Sequence, residues 1–374
     1  MTYLHRRTSI GLDSYLGRRS AGNIKTLEKQ LGEAIYSQIN QLSDRMAALQ
    51  QTPRADISPQ YGLNDLKYRE YGQHDLYQLA EAMIANNPPQ FARYIVWQRA
   101  MLRGHRVPDF FTELQLQSEQ TVLMGAFSTD YHSVIVRLLQ AAAEALHETE
   151  KTGLSSTQNT LQSKLMARYM ETLLAGNREE AAELIMKAVE NGVSIRDIYL
   201  EVFKPGLYEV GRLWQSGQIT VAHEHYFTAA TQLIMSELYP RIHRHTAQNR
   251  GVVGAACVSG ELHEIGLRMS ADLLELEGWQ TYYLGANTPA MSIVDIMREK
   301  KARLLVLSMC LPINGPELRA LIAMVRQQLG GSVKIIIGGY SISSDPVYAA
   351  SFGADAVAVD AGDAPAIAAG LLGR

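Results

Sequence analysis

The strongest constraint on this fold is a regular alternation of strand-like and helix-like segments over residues 250–374. Amphipathic stretches at 264–277, 289–301 and 315–329 separate short apolar runs rich in valine and isoleucine. That rhythm predicts a parallel sheet covered by helices on both faces. In such sheets, ligands bind beyond the carboxyl ends of the strands. The strand-like runs are "GVVGAACVS" (251–259), "QTYYLGAN" (280–287), "RLLVLSMCL" (303–311), "VKIIIGGY" (333–340) and "ADAVAVDA" (354–361).

The two preceding regions carry helical patterns instead. Residues 160–246 contain four amphipathic segments separated by Gly, Asn or Ser, which predicts a four-helix bundle. Residues 1–155 are helical but less regular, and predict an all-α sensor or docking domain. The stretch 151–160, "KTGLSSTQNT", predicts a linker between these two parts.

Bulk properties exclude several classes of partner. The 374-residue chain has a formal net charge of −3, which predicts no basic surface for nucleic acid or anionic lipid. No apolar run approaches the roughly 20 residues of a membrane helix, and the N-terminus lacks the apolar core of a secretory signal. The two cysteines, Cys257 and Cys310, lie inside apolar strand-like runs. We therefore expect a cytoplasmic protein, with both thiols reduced.

A short motif follows the first strand-like run, where "GELHEIG" places Glu261, His263 and Gly266 within six positions. Ser308 lies at the end of the third strand, with 41 residues between it and Gly266. The glycine pair 338–339 lies at the end of the fourth, with 27 residues between it and Cys310. These blocks and separations resemble the cobalamin-binding signature of base-off corrinoid proteins, (Asp or Glu)-x-His-x-x-Gly, Ser-x-Leu and Gly-Gly. Cys310 departs from that signature, because it stands where the pattern usually has Leu.

This resemblance implies a Rossmann-like, flavodoxin-type domain over residues 250–374, with a role for each motif residue. His263 would ligate the cobalt, and Glu261 would accept a hydrogen bond from the second imidazole nitrogen. Gly266 would let the displaced nucleotide tail of the corrin pass close to the backbone. Ser308 would hydrogen-bond the benzimidazole end of that tail. The pair Gly338 and Gly339 would leave room for its ribose and phosphate.

The predicted bundle carries a second motif, in which Trp214 is followed after nine residues by Glu224 and His225. Beside a cobalamin domain, this spacing resembles the bundle of adenosylcobalamin-dependent photoreceptors, best known from light-responsive repressors of carotenoid genes. The resemblance implies that these three side chains enclose an adenosyl group on the upper face of the cobalt. It further implies that light cleaves the cobalt–carbon bond and changes contacts between domains or with partners.

Two departures from that photoreceptor family are visible. We find no N-terminal helix-turn-helix, which predicts that the chain acts through protein contacts rather than by binding DNA. The residue after the tryptophan, often a histidine able to ligate cobalt after photolysis, is Gln215. The cobalt would then be capped in the light by His223, by His225 or by water.

The N-terminal region has a weaker resemblance, at the level of fold, to the globin-like domain of photocobilins, where that domain binds a bilin. No cysteine lies in this region, so a thioether-linked bilin is excluded. A non-covalent bilin is possible, with His105 or His132 as a partner of its pyrrole or carboxylate groups.

The preferred interpretation is a cobalamin-binding light sensor that is not itself an enzyme and signals through a protein partner or homo-oligomer. A corrinoid protein that carries methyl groups between methyltransferases is the first alternative, since a four-helix bundle followed by a Rossmann-like domain serves that role too. A redox regulator that binds cobalamin or haem and antagonises a repressor is the second.

Overall fold

The computed structural model describes residues 21–51, 65–148, 161–243 and 250–373. By compactness the chain forms two units, one made of residues 1–96 and 110–148, the other of residues 97–109 and 149–374. We call them unit 1 and unit 2. The predicted linker at 151–160 lies outside the described residues. The predicted division into three domains stays a prediction. Residues 97–109 group with the C-terminal part of the chain and not with the N-terminal helices.

Unit 1 is built from helices. The first two helices are antiparallel, since Gly32 of the first lies against Ala80 of the second and Gly72 lies against Ser43. A Cβ atom at Gly32 would lie 2.8 Å from the carbonyl oxygen of Ala80, so the two backbones approach closely there. The apolar face of the first helix, including Leu31 and Ile35, is fully buried. The helices are α1 (Ala21–Gln51), α2 (Asp65–Ile84), α3 (Pro88–Gly104, whose last residues belong to unit 2), α4 (Phe110–Ala126) and α5 (Thr129–Glu148).

The first part of unit 2 is a bundle of four helical segments, which confirms the helical region expected before the sheet. Its third segment starts at the cap Ser194, whose hydroxyl accepts a hydrogen bond from the backbone of Asp197. Tyr169 and Phe203 pack in its core with ring centroids 5.2 Å apart. The segments are α6 (Leu161–Leu174), α7 (Arg178–Glu190), a short turn (Ile195–Asp197) that continues through a π-helical stretch (Ile198–Phe203) into α8 (Lys204–Gln215), and α9 (Val221–His243).

The second part of unit 2 is a five-stranded parallel sheet in the order β2-β1-β3-β4-β5, which confirms the predicted flavodoxin-type α/β fold. The strands are β1 (Val252–Cys257), β2 (Gln280–Gly285), β3 (Leu304–Ser308), β4 (Lys334–Gly338) and β5 (Ala356–Val357). The helices between and after them are α10 (Ile265–Leu276), α11 (Ala290–Glu299), α12 (Gly315–Leu329), α13 (Tyr340–Ser343), α14 (Pro346–Ala350) and α15 (Ala364–Leu372).

The strand order fixes where a ligand can enter the sheet domain. From β1 the chain passes outward to β2 and then returns to the other side of β1 to form β3. The strand order therefore reverses between β1 and β3, and a crevice opens beyond their carboxyl ends. The loop that contains Glu261 and His263 follows β1 directly, and Cys310 follows β3.

Over the described residues, no helix is long and apolar enough to cross a membrane.

Candidate functional site

Glu261 anchors the loop after β1. One carboxylate oxygen, Oε1, accepts hydrogen bonds from the backbone N–H of His263 (3.0 Å) and from its Nδ1 (2.6 Å). The other, Oε2, accepts from the backbone N–H groups that follow β3, at Cys310 (2.7 Å) and Leu311 (3.0 Å), and from Nδ2 of Asn314 (3.1 Å). One fully buried carboxylate therefore ties the loops after β1 and β3 together at the crevice.

These bonds set the charge of the carboxylate. Burial by itself would raise the pKa of Glu261, but the hydrogen bonds from His263 and from the backbone of Cys310 outweigh it and lower the pKa to about 2. The hydrogen bond to Glu261 in turn raises the pKa of His263 above its usual value.

The His263 ring is oriented for metal ligation. Its Nδ1 donates to Glu261, so in the neutral imidazole the lone pair resides on Nε2. The His263 side chain is 59% exposed, whereas that of Glu261 is 0% exposed. The buried carboxylate therefore holds the ring through Nδ1 and leaves Nε2 accessible to a ligand. A carboxylate behind the distal nitrogen is the arrangement that fixes the tautomer of a metal-bound histidine and raises its basicity.

Glu261, His263 and Cys310 have potential ligand atoms within 4.8 Å of one another, yet they do not form a three-ligand metal site. The carboxylate of Glu261 is saturated by its five hydrogen bonds. Burial raises the pKa of the Cys310 thiol to about 11, which keeps it protonated at neutral pH. A zinc ion needs three or four protein ligands, whereas this loop supplies one, His263 Nε2. The donor set fits a metal whose other ligands come with it, as in a corrin.

The three motif glycines have different surroundings. A Cβ atom at Gly266 would meet nothing within 4 Å, so the first turn of α10 borders open space that a ligand can fill. At Gly339, φ is +102° and a Cβ would collide with the carbonyl oxygen of Met309. A Cβ at Gly338 would lie 3.2 Å from the carbonyl oxygen of Ala358. The fold itself therefore requires glycine at 339, whether or not a ribose or phosphate lies against the pair.

Ser308 ends β3 and is nearly buried. Its hydroxyl slightly lowers the pKa values of the Cys257 and Cys310 thiols, against the larger opposite effect of burial. Its predicted hydrogen bond to the benzimidazole of a corrin tail, like the predicted ligand contacts of the glycines, stays a prediction.

On the bundle side, Glu224 and His225 lie in the first turn of α9 and pair with each other. Glu224 Oε2 lies 2.6 Å from Nδ1 of His225, and its Oε1 accepts a hydrogen bond from Thr228 (2.8 Å). Glu224 also lies close enough to His263 to contribute to the raised pKa of that imidazole. The start of α9 therefore faces the loop after β1, which brings this part of the predicted upper cap to the predicted cobalt ligand.

Trp214, near the end of α8, contacts the ring of His105, with centroids 6.0 Å apart. Gln215 donates a hydrogen bond from Nε2 to the backbone carbonyl of Trp97 (3.3 Å). The residue in the place of a ligating histidine therefore helps to pack residues 97–109 against α8.

His223 lies at the start of α9, where its Nδ1 is 2.7 Å from the Thr220 hydroxyl and caps the helix. The predicted roles of Trp214 and His223 at the cobalt stay predictions.

The two histidines predicted to hold a bilin are placed differently. His105 meets Trp214, as above, whereas Nε2 of His132 lies 2.9 Å from the carbonyl oxygen of Met124 and 3.2 Å from that of Phe127. That ring closes the C-terminal end of α4 and its nitrogen is engaged by the backbone. The bilin stays a prediction.

Three residues at the site escaped sequence reasoning. Tyr208 of α8 packs edge-on against Tyr340, directly after Gly339, with ring centroids 6.3 Å apart. Glu264, just after the motif, bonds the Tyr283 hydroxyl (2.8 Å) and the backbone N–H of Ala286 (2.9 Å) at the end of β2. No local pattern marks the tyrosines, but an acidic residue at the start of α10 was a signal for Glu264.

Two stretches of the chain match models of protein families, and both models are described as a B12 binding domain. They cover residues 165–239 and residues 251–369. The first falls on the helical bundle and the second on the parallel sheet. Neither model reaches the residues before 165.

Individual relatives are corrinoid proteins. A corrinoid protein of Desulfitobacterium hafniense is 25% identical over 214 residues, which are 56% of this chain and 98% of that protein. Trimethylamine corrinoid protein 1 of Methanosarcina mazei is 22% identical over 195 residues, 51% of this chain and 89% of that protein. The structure of the monomethylamine corrinoid protein of Methanosarcina barkeri shares the fold, with a TM-score of 0.51 at 22% identity over 56% of this chain and 99% of that one.

These matches confirm the predicted cobalamin domain and favour the first alternative, a corrinoid protein, over a light sensor. Adenosylcobalamin and light sensing stay predictions. With His263 presented by a buried carboxylate at the reversal point of the sheet, and with both B12-binding domains in sequence, the chain is a cobalamin-binding protein related to the corrinoid proteins.

Proposed function

We propose that this chain holds cobalamin with its nucleotide base displaced and with His263 Nε2 as the lower ligand of the cobalt. The observation that carries this proposal is the 2.6 Å hydrogen bond between His263 Nδ1 and the fully buried Glu261. It leaves Nε2 exposed, uncharged in the neutral ring and fixed in direction. The open space beside Gly266 supports the proposal, since a displaced tail needs a passage next to this loop.

We further propose that the bound cobalamin serves as a carrier of methyl groups. Cobalamin supplies a cobalt ion that forms and breaks a bond to carbon. The support is the range of the similarity, since relatives named as corrinoid proteins match over 89% and 98% of their own lengths. In this role the chain catalyses no reaction alone, works in the cytoplasm and docks methyltransferase partners.

Two acidic residues beside His263 control its orientation and its charge in this function. Glu261 holds the Nδ1 proton of His263 and keeps the ring pointed out of the loop. The carboxylate remains ionised because five hydrogen bonds stabilise its charge, so it can take a larger share of that proton when His263 Nε2 binds a cation. The charge of Glu224 also favours the protonated imidazole and helps to raise the pKa of His263.

Light sensing is the second candidate, and one observation favours it. The end of α8 is covered by the turn at Gly104 and His105, with the His105 ring against Trp214. A Cβ at either Gly104 or Gly217 would collide with the backbone of the other segment, so the contact is built from glycine on both sides. A covered bundle end suits an upper ligand that stays enclosed, such as adenosyl. It suits a methyl group less well, because partner enzymes must reach a methyl group to transfer it.

Binding of two cobalamins to the full chain separates the two candidates. A sensor that encloses adenosyl should bind adenosylcobalamin more tightly than methylcobalamin, and Trp214→Ala should remove that preference. A carrier should bind both about equally, and Trp214→Ala should weaken both to the same extent. Tyr226→Ala, at an exposed aromatic residue of α9, is the matched control.

The response of the loaded protein to light is the second measurement. A sensor should change its hydrodynamic radius or its amide hydrogen exchange at 205–230 after green light, when loaded with adenosylcobalamin. A carrier should show no such change after light. It should also pass a methyl group from its cobalamin to a thiol acceptor when a corrinoid methyltransferase is added, and these two results together would support the carrier function. Loss of the cobalamin spectrum itself in His263→Ala tests the first proposal independently of both.

A further inference from the structure

The described interior of unit 1 contains carboxylates but no buried cationic side chain to balance them. Among the described residues, no Lys, Arg or His side chain is buried, whereas unit 1 buries four acidic ones. Two of these have partners of their own, since Arg137 pairs with Glu28 and the Tyr36 hydroxyl donates to Glu81. The remaining two, Asp75 of α2 and Glu119 of α4, are both 0% exposed.

Asp75 accepts two side-chain hydrogen bonds in the interior of unit 1. Its Oδ1 accepts a hydrogen bond from the Tyr94 hydroxyl of α3 (2.8 Å), and its Oδ2 accepts from Nε2 of Gln115 of α4 (2.6 Å). Three helices therefore converge on this carboxylate. Two donors at normal distances stabilise the ionised form of Asp75 in the interior.

Glu119 lies on the face of α4 that meets Asp75, one turn after Gln115. Neither of its carboxylate oxygens has a hydrogen-bond partner among the residues that the structure describes. Burial, and then the charge of Asp75, raise the pKa of Glu119 well above its ordinary value. The interior of unit 1 therefore places, close to the Asp75 carboxylate, a Glu119 side chain whose protonated form is favoured and which has no hydrogen-bond partner among the described residues.

Two further buried polar groups nearby lack partners within the described part of the chain. Thr112 Oγ1 lies on the same face of α4, seven residues before Glu119. Both amide atoms of Gln90 are also unpartnered, on α3 one turn before Tyr94. Hydrogen-bonding groups are thus left over on two of the helices that surround Asp75. Interiors normally satisfy such groups, so a cluster of them marks a place where something else supplies the bonds.

The charges decide the chemistry of the missing group. An anion would meet two acidic residues and, over the ranges that the structure describes, no buried Lys, Arg or His side chain. A metal ion would compete with the N–H and O–H donors that already occupy both oxygens of Asp75. A nitrogen cation with N–H groups can donate to Glu119 and to the Thr112 hydroxyl, while Asp75 supplies the countercharge.

We propose that unit 1 binds an organic cation bearing N–H donors between α2, α3 and α4, with Glu119 as its direct partner and Asp75 as its countercharge. On binding, the O–H bond of the Glu119 carboxyl breaks, its proton leaves to solvent, and the carboxylate pairs with the cation. The site is separate from the corrinoid site, and it makes the N-terminal unit a second ligand-binding module.

Calorimetric titration of the full chain loaded with cobalamin tests this proposal. Methylammonium chloride is the probe, and tetramethylammonium chloride, a cation without N–H groups, is its control at equal ionic strength. We expect methylammonium to bind at least tenfold more tightly. Repetition in two buffers of different ionisation enthalpy should show a proton released on binding.

Variants locate the site. Glu119→Gln should weaken methylammonium binding at least tenfold without lowering the midpoint of thermal unfolding, because the Glu119 carboxyl has no hydrogen-bond partner in the described part of the chain. Glu113→Gln, at an exposed residue of the same helix, should leave binding unchanged. Thr112→Val keeps the side-chain shape, removes the hydroxyl and should also weaken binding.

Several outcomes would overturn the proposal. They are no heat with methylammonium, equal binding of the two cations, binding that survives Glu119→Gln, or a large loss of thermal stability in that variant, which would assign Glu119 a structural bond. The cobalamin spectrum of the same samples reports on the corrinoid site, so failure at one site is distinguishable from failure at the other.

Discussion

At the scale of single residues, the site depends on two different roles: Glu261 fixes the loop and the imidazole, and His263 offers a nitrogen to a metal. The buried carboxylate accepts five hydrogen bonds and has no capacity left for a metal, whereas the exposed imidazole has one nitrogen held and one open. The motif Glu-x-His indicated both residues. It did not indicate that the carboxylate also ties down the loop after β3, because the backbone donors at 310 and 311 come from a distant part of the sequence.

The first prediction concerns His263→Ala. The variant should fold, since the side chain is mostly exposed, and should lose cobalamin affinity by at least tenfold, because no other described metal-ligating side chain of this loop is open. The measurement is equilibrium binding followed by absorption spectroscopy. His147→Ala, at an exposed histidine of α5 in unit 1, is the matched control, and equal spectra for His263→Ala and the parent would show that His263 is not the ligand.

The second prediction concerns the stability of the cobalamin-free protein. A folded-state pKa of about 2 for Glu261, against an ordinary value of 4.5, stabilises the fold by about 3 kcal/mol at pH 7. Because the folded-state pKa is lowered, this contribution is present above about pH 4.5 and is lost as the pH falls toward 2. Glu261→Gln should therefore lower the free energy of unfolding by that order at pH 7. Urea titrations from pH 7 to pH 3 should show the difference between variant and parent shrink, and a constant difference would contradict the assignment.

At the scale of elements, two glycines that look alike in the motif differ in what they do. Gly266 opens α10 beside empty space and has ordinary helical geometry, whereas Gly339 has a φ of +102° and lies against the backbone at Met309. The backbone conformation therefore requires glycine at 339, whereas only a bound ligand would require it at 266. The sequence motif contains both glycines and does not distinguish these two reasons.

The third prediction uses this pair of glycines. Gly266→Ala should leave the cobalamin-free protein at least as stable as the parent, since alanine favours a helix by up to about 1 kcal/mol over glycine. Its cobalamin affinity should nevertheless fall, because the methyl group enters the open space. Gly339→Ala should instead destabilise the free protein. Unfolding midpoints and binding constants measured on both variants check this, and unimpaired binding by Gly266→Ala would show that the tail passes elsewhere.

At the scale of the whole of unit 2, bundle and sheet are joined by contacts that need no cofactor. The Tyr199 hydroxyl donates to Asp272 of α10 (2.7 Å), Lys204 pairs with Asp360, and Arg196 donates to the carbonyl of Gly362 (3.0 Å). These contacts fix the bundle against the sheet part of the unit.

The fourth prediction concerns the pH dependence of this junction. Burial raises the pKa of Asp272 to about 6, so the folded state favours its protonated form. Ionisation then costs stability as the pH rises from about 4 to above 6, by up to about 3 kcal/mol. Asp272→Asn should match the parent below pH 4 and exceed it in stability above pH 7. Chemical denaturation at pH 4, 6 and 8 gives the comparison, and a parallel pH profile for both proteins would contradict it.

The sequence alone determined the architecture of residues 250–374, because apolar strand-like runs, amphipathic helices and motif spacing are local properties. It also indicated Glu261, His263 and the cobalamin domain, since those residues are close in sequence. Only the tertiary structure decided what surrounds them: the donors to Glu261 from 310–314, the contact of His105 with Trp214, and the acid pair Asp75–Glu119. Each of these joins residues 44 or more positions apart, and such pairings depend on helix packing and strand order, which no local pattern encodes.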